Sequence, residues 1–282
     1  MLPLRTYIWI AREALAAGMQ LYVVPSRWGG MVAGCPKVPS LFAAKHPEAC
    51  MHREDGSPFI SMFGPVASVH HPATYEFFCE TLDTLFKIVD VNGIIWDEPK
   101  ILHDSDYSEA ARNALGDEGL KEEQAQADAV ARFFGKISAY ALSRRPELRT
   151  CMFTYAHVGQ ETIDRCAAIP ELTDFGCDGR PYRAEDGGGN DNTDGEGATK
   201  LLCDHGPAFV EAAKRNGKRP LFLIENHALA NEDLPKMDER LPEVLSLGAE
   251  HMIYYYPRSL EDPDANMAII AKHLSKADSD GL

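Results

Sequence analysis

From about residue 80 onward, short runs rich in β-branched and aromatic residues alternate with stretches whose apolar residues recur at helical spacing. That alternation is the pattern of a parallel sheet built from βα units, and it constrains the fold more than any other feature of the chain. Strands are expected at 20–26 ("QLYVVPS"), 93–98 ("GIIWDE"), 149–155 ("RTCMFTY"), 172–178 ("LTDFGCD"), 220–226 ("PLFLIEN") and 251–257 ("HMIYYYP"). Between them, Tyr75, Phe78, Leu82, Leu85 and Val89 form one stripe of an amphipathic helix, and Val130, Phe134, Ile137 and Ala141 form another. Gly217, just before the strand at 220, suits a helix C-cap.

Each expected strand is followed by polar or unusual residues: Arg27 and Trp28, Asp97 and Glu98, Tyr155 and His157, Asp178 and Arg180, Glu225 to His227, Tyr256 and Arg258. Strand C-termini carry the site in parallel α/β folds and above all in (β/α)8 barrels, so the fold class expected is α/β, a TIM-barrel-like (β/α)8. A closed barrel needs eight strands, and six are counted. Either "LRTYIWI" near the N-terminus supplies another strand, or the chain begins inside a barrel incomplete at that end. A single barrel domain over 1–282 is expected, with long loops at about 27–72 and 178–200.

The formal net charge is −15, from 43 Asp and Glu against 28 Lys and Arg, which disfavours nucleic acid as a partner. No stretch approaches the length of a membrane span, and no export signal is recognised, so a cytoplasmic protein without a membrane partner is expected. Seven scattered cysteines without a CxxC pair fit free thiols better than disulfides or a zinc site. Oligomeric state is not legible.

The chemistry concentrates where apolar runs end in acids. "GIIWDEPK" stops at Asp97 and Glu98, where Pro99 removes a ladder donor, and "LFLIEN" stops at Glu225 and Asn226. Two carboxylates across a barrel mouth are the machinery of glycoside hydrolysis: one protonates the leaving oxygen while the other attacks or activates water. Strand alternation lets only one of Asp97 and Glu98 face a pocket squarely, and "GIIWDE" has bulky residues in both parity sets. The alternative for a single acid at a strand end is a cap on the next segment or a partner for Lys100.

"DEP" resembles the Asn-Glu-Pro of clan A (β/α)8 glycoside hydrolases. That resemblance implies Glu98 as acid/base and Glu225 as the nucleophile of a later strand, with Asp97 standing where the clan has Asn. "NGIIWDEP" also resembles the DGxxxD strand of other retaining glycosidases, which implies Asp97 as nucleophile and Asp178 in "FGCDGRPY" as the acid. The stretch from "AGMQLYVVPSRWGG" to "WDEP" is similar to uncharacterised glycosidase-like barrel proteins. The match to Glu-Pro and the partner Glu225 both select Glu98 as the pocket residue.

Sugars are held by flat aromatic faces and planar polar groups. Substrate-binding candidates are therefore Arg27, Trp28, Trp96, Tyr155, His157, Arg180, Asn226, His227 and Tyr256, with Tyr182 as a further aromatic. The leading function is hydrolysis of a glycosidic bond in a carbohydrate substrate, without a cofactor. The alternatives are a sugar isomerase, epimerase or lyase that uses a divalent metal, and a sugar-binding protein without catalysis. The metal reading has no compact ligand motif, neither HxH nor HExxH, to support it. His70 and His71 are taken as loop residues, and "NDNTDG" as a chance match to a calcium loop.

Overall fold

The computed structural model describes residues 4–25, 41–61, 64–97, 99, 104–182, 201–226, 229–253 and 257–280. The candidates Arg27, Trp28, Glu98, His227 and Tyr256 lie outside them. The helices are α1 (Leu4–Ala16), α2 (Leu41–Lys45), α3 (Pro72–Ile88), α4 (Glu109–Gly119), α5 (Glu123–Arg144), α6 (Gln160–Ala167), α7 (Leu202–Arg215), α8 (Leu234–Leu245) and α9 (Pro263–Asp280). The strands are β1 (Tyr22–Val23), β2 (Ile60–Ser61), β3 (Gly64–Pro65), β4 (Gly93–Asp97), β5 (Arg149–Tyr155), β6 (Asp174–Gly179), β7 (Arg219–Ile224) and β8 (Glu250–Ile253).

Six strands form one sheet in the order β1-β4-β5-β6-β7-β8, and β2 and β3 form a separate antiparallel hairpin. The sequential order, parallel pairing and intervening helices are those of a (β/α) barrel, with six strands among the described residues rather than eight. The segment "LRTYIWI" is helical, as the start of α1, and supplies no strand.

The chain groups into two compact units, Met1–Met152 with Ala168–Thr173, and Phe153–Ala167 with Asp174–Leu282. In the first, β1 pairs with β4 (Tyr22 opposite Gly93), and the Arg149 N–H, opening β5, donates to the Asn92 carbonyl. Phe78 of α3 and Phe134 of α5 are fully buried on the predicted stripes, as are Leu82, Ile137 and Ala141. The expected loop at 27–72 has structure of its own from residue 41 on. There α2, a short 3-10 turn and the β2–β3 hairpin bury Ala49, Cys50, Met51, Val66 and Ala67. His71 caps α3: its Nδ1 accepts from the Ala73 N–H at 3.3 Å.

In the second unit β6 pairs with β7 and β7 with β8, all parallel, with Asp178 opposite Leu223. At Gly176 the β6 backbone passes so close to β7 that a Cβ there would lie 1.6 Å from the Leu221 carbonyl oxygen. Only glycine fits. Phe175 packs on Phe209 of α7 with ring centroids 5.6 Å apart. Phe222 reaches the same helix, where a Cβ on Gly206 would meet its ring at 2.9 Å.

Candidate functional site

In a strand buried on both faces, composition does not say which side a residue takes; the partners do. On β4, Trp96 is 0% exposed and its Nε1–H donates to Ser138 Oγ of α5 at 2.8 Å. Its ring lies against Phe78 and Phe134, with centroids 6.3 and 5.7 Å away. Trp96 therefore belongs to the helical layer and is no substrate platform. Alternation then sends Asp97, half-buried at the end of the strand, to the face away from the helices.

The same reasoning orders the second unit. Phe175 faces α7, so Asp174, Gly176 and Asp178 take the opposite face of β6. Phe222 also faces α7, so Leu221, Leu223 and then Glu225 take the opposite face of β7. Asp178 is 5% exposed and Arg180 is 4% exposed. The Arg180 Nε stands 3.6 Å from Glu225 Oε2, whose side chain is 14% exposed. The backbone fixes this level of the sheet, since the Glu225 N–H donates to the Gly179 carbonyl at 2.8 Å. With Asp178 opposite Leu223, Glu225 lies two residues further along the neighbouring strand, a Cα separation of roughly 8 Å from ordinary strand spacing and rise.

At the end of β5 the Ala156 N–H donates to the Asp178 carbonyl at 3.2 Å, which brings the flanking Tyr155 and His157 beside β6. Their rings lie 5.4 Å apart at 30°, both half-buried. Beyond Arg180, Tyr182 is buried, and its hydroxyl has no hydrogen-bond partner among the described residues. Burial above all, and then Asp233, push its pKa far up, so the phenol remains a neutral donor. Tyr155, His157, Asp178, Arg180 and Glu225 are thus gathered at the ends of three consecutive strands of one unit.

Asn226 is placed elsewhere. It is 1% exposed in the helical layer, in a reciprocal amide pair with Asn266 of α9 at 2.9 and 2.8 Å. The pair ties the turn that follows Glu225 to α9, a structural role that a polar residue at a strand end does not disclose. Asn266 shares the buried face of α9 with Ile270 and His273. Among the described residues, no group of three or more His, Cys, Asp or Glu is arranged to hold a metal ion. No helix among them is long and apolar enough to cross a membrane.

This arrangement defines a fold found among solved glycoside hydrolases. Similar structures include an α-L-fucosidase isoenzyme from Paenibacillus thiaminolyticus, with a TM-score of 0.60 and 15% identity over 95% of this chain and 38% of that one. Another is the GH36 α-galactosidase AgaA from Geobacillus stearothermophilus, with a TM-score of 0.54 and 13% identity over 95% and 32%. The α-galactosidase from Lactobacillus brevis aligns with a TM-score of 0.53 and 9% identity over 95% and 31%. This chain spans about a third of the length of these proteins. No family model matches the sequence, and no curated protein matches it.

Proposed function

We propose that the protein hydrolyses a glycosidic bond with carboxylates carried at the C-terminal ends of its strands. One observation carries the reading: Asp97, Asp178 and Glu225 each leave a strand end on the face that the helices of their own unit do not cover. Asp178 is closed from solvent two residues before Arg180, which pairs with Glu225. The α-galactosidase and α-L-fucosidase likenesses support the same reading, and one Geobacillus α-galactosidase variant of this fold was solved with raffinose.

The surroundings support particular roles for these residues. Trp96 in the helical layer favours Asp97 over Glu98, and with it the resemblance to retaining glycosidases in which the acid of the earlier strand attacks the anomeric carbon. Asp178, in the other unit, is the residue that the same resemblance implies as proton donor to the leaving oxygen. Glu225, with the Arg180 guanidinium as counter-ion, is the charged carboxylate that accepts hydrogen bonds from sugar hydroxyls, and Tyr155 with His157 offers a flat surface to the sugar ring.

A screen of aryl glycosides, α-galactosides and α-L-fucosides included, with and without chelator, tests the proposal. Hydrolysis of at least one substrate that persists in chelator is expected. Activity abolished by chelator and restored by a divalent ion supports the metal-dependent sugar enzyme instead.

A further inference from the structure

The groove where the first turns of α3 meet α4 and α5 holds a cavity of about 440 Å3, well away in sequence from the strand ends just described. Phe133, Leu115 and Tyr75 give it an apolar floor, while Arg132, Lys136, His70 and His71 supply its polar groups. In a chain with 43 acids against 28 bases, no aspartate or glutamate stands among the described residues that line it. Arg132 and Lys136 lie one turn apart on α5, and among the described residues neither forms an ion pair. Like charges at this spacing repel, and among the described residues no acid lining the cavity pairs with either; the nearby Asp106 carboxylate acts on His70. Lys136, though exposed, folds over an aromatic face: its Nζ sits 3.7 Å from the centre of the Tyr75 ring. His70 adds a buried Nε2 without a hydrogen-bond partner among the described residues. Burial lowers its pKa against the partial opposition of the Asp106 carboxylate, with Arg132 pushing the same way as burial and Gln126 the other way, which favours the neutral imidazole.

We propose that this cavity binds an anionic group, a phosphate or a carboxylate on a small sugar-sized ligand, with Arg132 and Lys136 as its charge partners and His70 as a neutral hydrogen-bonding partner. A planar guanidinium and an ammonium one helical turn apart suit two oxygens of one anion, and the apolar floor accepts the body that carries it. The inference does not depend on the hydrolase reading, because no residue of the strand ends takes part.

The test is titration of the whole chain with inorganic phosphate, glucose 6-phosphate and glucuronate at ionic strength held constant with sodium chloride, followed by calorimetry and amide chemical shifts. Saturable binding is expected, with shifts centred on Tyr75, Leu115 and Phe133. The double variant R132Q/K136Q should weaken it tenfold or more, and the charge-conserving R132K/K136R should stay within threefold of wild type. R12Q, which removes one exposed cation from α1, should leave it unchanged. Tighter glucose 6-phosphate assigns a phosphate ligand, and tighter glucuronate a carboxylate. Binding that sodium chloride reproduces, shifts centred elsewhere, or an unchanged affinity in R132Q/K136Q overturns the proposal. Both positions are exposed on α5, so the double variant should fold; if it does not, the shift map of the wild type decides alone.

Discussion

Substituting Trp96 tests the orientation of β4 on which the choice of Asp97 rests. Trp96→Phe keeps most of the ring contact with Phe78 and Phe134 but removes the Nε1–H that Ser138 Oγ accepts, leaving a fully buried hydroxyl unsatisfied. That costs about 1–3 kcal/mol. Trp96→Ala empties the space as well and should cost about 3–5 kcal/mol. Ser138→Ala strands the indole N–H instead, so the double variant Trp96→Phe/Ser138→Ala should lose less than the sum of its singles, by about 1 kcal/mol. Urea unfolding followed by far-UV circular dichroism reads all four proteins, and glycoside affinity in the folded variants should not change. The reasoning fails if Trp96→Phe leaves the urea midpoint untouched while Trp96→Ala abolishes sugar binding, because that is how a platform in the pocket would behave.

Three further predictions concern the second unit and the buried histidines. Gly176→Ala forces a Cβ into the Leu221 carbonyl and should destabilise by more than about 3 kcal/mol in urea unfolding; a loss under about 1 kcal/mol would mean that the strands are not so close. Asn266→Ala should cost about 1–3 kcal/mol by stranding the Asn226 amide, with clear non-additivity in the Asn226→Ala/Asn266→Ala double variant; additive losses would dissolve the pair. Burial lowers the folded-state pKa of both His251 and His70 from 6.5, against the partial opposition of the Val244 carbonyl and Glu250 at His251 and of Asp106 at His70. Between the folded and unfolded values the unfolded chain binds more protons, so this stability is complete above about pH 6.5 and lost as pH falls below it. Urea midpoints from pH 8 to 5 should show that decline, and His251→Gln should flatten part of it; an unchanged slope would remove His251 from the account.

Much of the architecture was legible because βα units write their period into the sequence. β5 covers the expected 149–155 end to end; the second amphipathic stripe is core, and of the first Phe78 and Leu82 are core while Tyr75, Leu85 and Val89 are half-buried. α1 was ambiguous for a physical reason: "LRTYIWI" is aromatic and β-branched, but Trp9 and Ile10 remain exposed on a helix, so burial periodicity gave no signal there. The stretch at 41–71 hid its structure in two-residue strands and a five-residue helix, too short for any periodicity to register. The acids at strand ends were visible as a class. Their faces were not, because both sides of β4 are apolar and only Ser138, Phe78 and Phe134, distant in sequence, decide between Asp97 and its neighbour. Asn226 looks like a substrate ligand from sequence for the same reason, since its partner lies forty residues further on.

The most direct test of the central claim compares Asp97→Asn, Glu98→Gln and Asp178→Asn on a glycoside that the wild type hydrolyses, with activated and poor leaving groups. The account predicts that Asp97→Asn loses about a thousandfold or more in turnover with both, roughly 4 kcal/mol of barrier. Asp178→Asn should be hit far harder with the poor leaving group, and Glu98→Gln should retain most activity. Activity that survives Asp97→Asn but disappears in Glu98→Gln would contradict it.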